Sequence, residues 1–217
     1  MGFWEKFKFL SSKCWEEMKE KPKYFFCFIC LFVTRLITVL FSVYLQLWVI
    51  SFQKSGVLSS TEESDKIYMQ VIAGALFSIL LVAPVFGFVS DKADPRVIMP
   101  STFFVRGVIT FLFSYIDNPN NWHAYFICVT MIVLSVIQFI CVEVVFMRNM
   151  KKEIRGTLSG IAVFFGSIGT TTFALVGGII FDKIGPWAPF VVVAIADLIV
   201  VFISFIFIIT GKINRSD

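Results

Sequence analysis

Apolar residues in this chain do not alternate with polar ones. They run together in blocks, each closed by charge, proline or glycine. A helix that crosses a bilayer takes roughly 20 mostly apolar residues. Blocks of that length are Tyr24–Phe52, Ile67–Val89, Val97–Ile116, Trp122–Met147, Thr157–Phe181 and Trp187–Thr210. Such unbroken runs exclude barrel strands, which alternate over about 10 residues. Ahead of them Phe3, Phe7, Leu10, Cys14 and Met18 recur at helical spacing with Lys and Glu between. That pattern predicts an amphipathic helix on the membrane surface; a disordered basic leader is the alternative. Ser60 and Glu63 have the spacing of a capping box, so the second membrane helix is expected to begin outside the bilayer and enter near Ile67. The chain divides into a leader 1–23, a six-helix membrane domain 24–210 and a tail 211–217.

Composition agrees. Of 217 residues 58% are apolar and 16% charged, where a soluble domain keeps about a quarter charged. Mean hydropathy is +0.85. An all-α integral membrane protein is expected, with no room left for a soluble domain. Basic residues then orient it. Fourteen lie in the leader, the second-to-third loop, the fourth-to-fifth loop and the tail, against Lys54, Lys66 and Lys183 on the other side. The positive-inside rule places both termini in the cytoplasm, or on the matrix side in an organelle. This asymmetry absorbs the net charge of +4, so no nucleic-acid partner is expected; the lipid bilayer is. The leader has no apolar signal region, and its four glutamates argue against a mitochondrial presequence.

Compared with itself, the chain repeats. Gly87-x-x-x-Asp91-Lys92-x-x-Pro95 closes the second block and Gly178-x-x-x-Asp182-Lys183-x-x-Pro186 the fifth, an offset of 91 residues. The same offset carries Arg106 onto Asp197. An odd number of helices per unit gives the copies opposite orientation, so two inverted three-helix repeats are expected, about 24–116 and 122–210.

Gly87-x-x-Ser90-Asp91-Lys92-x-x-x-Arg96 resembles the loop signature of the major facilitator superfamily, G-x-x-x-D-[RK]-x-G-x-[RK], with Asp94 where Gly is usual and Pro95 where a basic residue is common. Lys152-Glu153-x-Arg155-Gly156 resembles the family's fourth-to-fifth loop. Gly177-Gly178-x-x-x-Asp182-x-x-Gly185-x-x-x-Pro189-Phe190 is similar to the end of its fifth helix. Lys21-Pro22-Lys23 resembles the linker between its halves. The resemblance points to the C-terminal six-helix half of a secondary transporter. It implies transport of a small solute by alternating access, without chemistry and without a cofactor. A half of this kind implies a second six-helix half, a dimer, or a non-transporting role as structural subunit of a larger membrane complex.

Charges inside the spans then stand out, because each costs about 2.5–3.5 kcal/mol to insert at mid-bilayer. Arg35 is followed by Thr38, Ser42 and Gln46 on one helical face. The resemblance implies that the first and fourth helices line the transport cavity. Arg35 is therefore expected to bind an anionic group of a solute or pair with a moving carboxylate; a structural ion pair is the alternative. Glu143 is a candidate proton-coupling carboxylate, or else it snorkels or pairs with Arg148. Ser135 and Gln138 lie deeper on the same helix, placed for hydrogen bonds to solute. Arg106 and Asp197 are expected to form a buried ion pair. By resemblance Gly87, Asp91, Lys92 and Arg96 form a conformational latch; a solvated turn is the alternative.

Other signals carry less. Small residues fill the fifth block from Gly156 to Gly178, suiting either tight packing or a sliding interface. Cys27 and Cys30 form a C-x-x-C inside an apolar span, where cysteine is a small hydrophobe. With one histidine and no phosphate-binding Gly-Lys-Ser/Thr loop, no metal site, catalytic triad or nucleotide hydrolysis is expected.

Overall fold

The computed structural model describes residues 3–21, 23–148 and 150–211, with the side chains of Glu5 and of Ser12 onward. The side chains of Phe3, Phe7 and Leu10, all of Pro22, and the tail 212–217 lie outside the described residues. In chain order the elements are α1 (Phe3–Glu20), α2 (Lys23–Val39), a π turn (Leu40–Tyr44), α3 (Leu45–Lys54), α4 (Thr61–Lys92), α5 (Pro95–Phe113), α6 (Trp122–Arg148), α7 (Arg155–Lys183) and α8 (Ala188–Ile209). Because α2, the π turn and α3 form one continuous rod, six helices among the described residues are long and apolar enough to cross a membrane. The chain is an integral, multi-pass membrane protein.

Caps explain where these helices outrun their apolar blocks. Ser60 Oγ accepts the Glu63 N–H at 3.2 Å, and the Glu63 carboxylate accepts the Ser59 N–H at 2.8 Å, so α4 begins at Thr61, ahead of Ile67, where the Ser60–Glu63 spacing puts its cap. Asp94 accepts the Arg96 N–H at 3.0 Å ahead of Pro95, which opens α5. At the far end of α4, Arg148 donates to the carbonyls of Ser90 (2.7 Å), Asp91 (2.8 Å) and Ala93 (3.2 Å). These carbonyls have no partner within the helix, and a cation is favoured there.

The main helix pairs are α5 with α8, α4 with α6, and α2 with α7. Lipid tails give helices little hydrophobic reason to associate, so close approach and polar contacts matter. On α7 a Cβ added to Gly177 would stand 2.7 Å from Tyr44 Oη. The glycine lets that hydroxyl reach in and donate to the Ala174 carbonyl at 2.8 Å. Buried apolar residues form two clusters. The first, toward the basic end, holds Tyr24, Phe28, Phe103, Phe146 and Leu158. The second, toward the other end, holds Leu40, Trp48, Phe113, Met131 and Phe190. Between them in sequence along every helix concerned sits a polar layer of Thr34, Arg106, Ser135, Gln138 and Asp197, all buried, with Arg35 beside it.

The leader is helical over its described part, so the disordered alternative gives way. Cys14 and Met18 enter the first cluster. Glu17 shares that buried face and pairs with Lys151 and, at 3.3 Å, with Lys21. Lys13 reaches Glu153 at 2.9 Å. This face of α1 thus docks by charge as well as by apolar contact on the connection between α6 and α7. The Lys151 ammonium beside Glu17 holds that carboxyl below its usual range, against the opposing effect of burial.

Candidate functional site

A cavity of about 440 Å³ opens between α2, α4 and α6. The first rod supplies Thr34, Arg35, Thr38 and Ser42 to its wall; α4 supplies Tyr68 and α6 supplies Ser135 and Phe139. Most of the remaining wall is aliphatic or aromatic. The half-buried Arg35 guanidinium lies 4.9 Å from the centre of the Phe139 ring. It makes no hydrogen bond and no ion pair to any described residue. Room for its stem comes from α7, where a Cβ on Gly166 would stand 2.8 Å from Arg35 Cγ. Phe139, Tyr68 and Gly166 are not readable as site residues from spacing alone. Gly166 has a weak signal as one of the small residues of its block.

Arg35 also lines a second, smaller pocket of about 200 Å³, whose other charged wall residue is Glu143. Glu143 in turn lines a third, of about 530 Å³, with Asp91, Arg148 and Arg155 at the basic end. Charged residues are therefore strung along successive pockets from the cavity outward. Glu143 does not meet Arg148, whose guanidinium is taken up by the carbonyls that end α4.

Two of the expected path residues lie elsewhere. Arg35, Thr38 and Ser42 all line the cavity, but Gln46 does not. The reason is the π turn: the Leu45 N–H bonds the Leu40 carbonyl, five residues back, so one extra residue is inserted into the helical repeat. Residues beyond it are rotated off the stripe that a regular helix would continue. Gln138 is fully buried, outside the cavity wall and within electrostatic reach of Asp197. Neither end of its amide has a hydrogen-bond partner among the described residues.

Arg106 and Asp197 meet in a fully buried bidentate pair joining α5 to α8. Arg106 Nε donates to Oδ2 at 2.8 Å and Nη2 to Oδ1. Gly107 permits the approach, since a Cβ there would stand 3.1 Å from Asp197 Cβ. In the loop signature the expected cluster is rearranged. Arg96 pairs with Asp94 at 2.8 Å, because both belong to the first turn of α5 and its cap. Lys92 lies 4.0 Å over the Phe88 ring. Gly87 has open space around it, with nothing within 4 Å of an added Cβ.

Among the described residues, six apolar helices thus surround a polar layer with an open cavity. Residues 3–174 match the family model of the Major Facilitator Superfamily, and the chain belongs to that family. It is similar to the magnetosome protein MamZ of Magnetospirillum gryphiswaldense, 22% identical over 190 residues that make up 86% of this chain and 28% of MamZ. It is likewise similar to the magnetosome protein MamH of Paramagnetospirillum magneticum, 24% identical over 192 residues, 86% of this chain and 43% of MamH. The chain thus spans less than half the length of these relatives.

Proposed function

We propose that this chain forms one six-helix unit of a secondary transporter, moving a small solute by alternating access without chemistry. Its two three-helix repeats lie in inverted orientation, both termini face the cytoplasmic side, and a second six-helix unit closes the cavity. One observation carries this reading: a mid-span arginine faces a cavity without a protein acceptor. An intramembrane charge held at such cost marks a solute or ion path by default. Arg35 anchors the solute; Thr38, Ser42 and Ser135 share its wall, and Glu143 stands on the way to the basic end.

The test is access from both sides. The five cysteines are all buried, so background labelling is low. A Thr38→Cys variant in right-side-out and inside-out vesicles should react with a membrane-impermeant thiol reagent from either face. Labelling from one face only, with co-purification of a larger complex, supports the structural-subunit reading and overturns transport.

A further inference from the structure

The polar groups around the cavity are sorted by their hydrogen-bonding sense. Thr34 Oγ1 donates to the Cys30 carbonyl at 2.7 Å, Ser42 Oγ to that of Thr38 at 2.8 Å, and Ser135 Oγ to that of Met131 at 2.7 Å. Tyr68 Oη donates to the Phe41 carbonyl at 3.3 Å. A carbonyl only accepts, so each of these hydroxyls has committed its single proton to backbone and has only lone pairs left to offer. Arg35 is the opposite case: five N–H donors, one fixed positive charge, and no acceptor among the described residues. Among the described residues no carboxylate lines this cavity; Glu143 lies in the neighbouring pocket beyond Arg35, within electrostatic reach of the guanidinium but with no ion pair to it. Thr38, also on the wall, makes no side-chain hydrogen bond among the described residues and keeps one neutral hydroxyl that can donate or accept; the rest of the wall is apolar, including Ile37, Phe41, Ile72, Ile132 and Val136.

Resting on the transport reading above, we propose that the solute is a small organic monoanion: one carboxylate for Arg35, an apolar body, and any further polar group a hydrogen-bond donor. A guanidinium matches one carboxylate in a bidentate pair. A second carboxylate would be taken from water to meet at most the single neutral Thr38 hydroxyl among lone pairs and hydrocarbon, with no second cation on the wall, which is unfavourable in a low-dielectric site. An ammonium would find acceptors but would share the space with the Arg35 charge. A hydroxyl satisfies the lone pairs at no electrostatic cost. The 440 Å³ volume is at the small-molecule scale and suits a body of one ring.

Calorimetric titration of the purified chain in neutral detergent tests this with four matched soluble probes: phenylacetate, mandelate (which adds a hydroxyl), phenylsuccinate (which adds a carboxylate) and phenethylamine. Phenylacetate should bind and mandelate should bind roughly two- to tenfold more tightly, the span of a net hydrogen bond. Phenylsuccinate and phenethylamine should be at least tenfold weaker. Arg35→Gln should weaken phenylacetate about tenfold or more, the loss of a charge-assisted bond, while eluting as wild type in gel filtration. If phenethylamine or phenylsuccinate binds as well as phenylacetate, or Arg35→Gln changes nothing, the monoanion class is wrong. A fifth arm adds phosphatidylglycerol. Binding of this lipid with none of the soluble carboxylates assigns Arg35 to a headgroup and also overturns the proposal. Two-sided labelling at position 38 tests the transport reading separately, so failure of one is distinguishable from failure of the other.

Discussion

Asp197→Leu removes one partner of a pair that has no access to water on either side. It leaves the Arg106 charge in the bundle interior, where Nη1 already lacks a hydrogen-bond partner among the described residues. Breaking a buried pair in this way costs about 3–5 kcal/mol, a drop of roughly 10²- to 10⁴-fold in the folded-to-unfolded ratio. Arg106→Met strands the carboxylate instead and should cost less. An isolated aspartate can take up a proton and become neutral, whereas a guanidinium cannot lose one. Combining the two leaves an apolar contact of similar volume, which is commonly neutral or stabilising by about 1–4 kcal/mol. The expected order of stability therefore runs from the double variant and wild type, through Arg106→Met, to Asp197→Leu. Unfolding of the detergent-solubilised proteins by a denaturing detergent, followed by circular dichroism, measures all four corners of the cycle. A double variant that loses the sum of the single losses would refute the pairing. So would an Asp197→Leu protein more stable than Arg106→Met.

Gly166→Ala places a methyl 2.8 Å from Arg35 Cγ and should weaken phenylacetate binding in calorimetry as Arg35→Gln does; unchanged affinity would remove α7 from the support of the site. Arg148→Ala uncaps the last carbonyls of α4, each formerly holding a charge-assisted bond. A loss of about 1.5–3 kcal/mol is expected, with faster amide exchange confined to the end of α4 and the start of α5. The docking of α1 should depend on pH. Glu17 has a lowered folded-state pKa, chiefly through Lys151. Its contribution is present above the ordinary glutamate range and fades as pH falls through the lowered value. Amide exchange across α1 should therefore accelerate on acidification. Glu17→Gln should give fast exchange at neutral pH and little further change on acidification; a pH response that persists in that variant would rule Glu17 out as its source.

Number and rough extent of the membrane helices are legible because long apolar blocks have one stable answer in lipid, a helix with its backbone bonds internal. Ends are less legible: Ser60 with Glu63 can be read as a cap from spacing, but Asp94 and Arg148 open or close helices by polar contacts outside the blocks. The partnership of Arg106 with Asp197 can be read as opposite charges at a single repeat offset. Gln46 and Gln138 show where periodicity stops informing. A stripe argument assumes an unbroken 3.6-residue repeat, and the π turn ends that assumption between Ser42 and Gln46. Gln138 lies three residues from Ser135, within the angular width of one face, yet it turns toward α8, where the buried Asp197 stands. No pattern on a single helix contains that information. Nor does spacing show Glu17 as buried, because its compensation comes from Lys151 on a distant connection.

The π turn at Leu40–Tyr44 gives the first rod two independent facing registers. Upstream, residues such as Arg35 and Thr38 serve the cavity; downstream, Leu45, Trp48 and Val49 serve the apolar core. Straightening the turn into a regular helix with its residues unchanged in number would swing everything beyond it by about 100°, taking Tyr44 off the α7 backbone, whereas deleting one residue within it would leave both registers as they are. Sliding the turn by one position along the rod has a subtler result. It exchanges the residue presented to the cavity while both helix ends stay where they are, as a gear advances by one tooth.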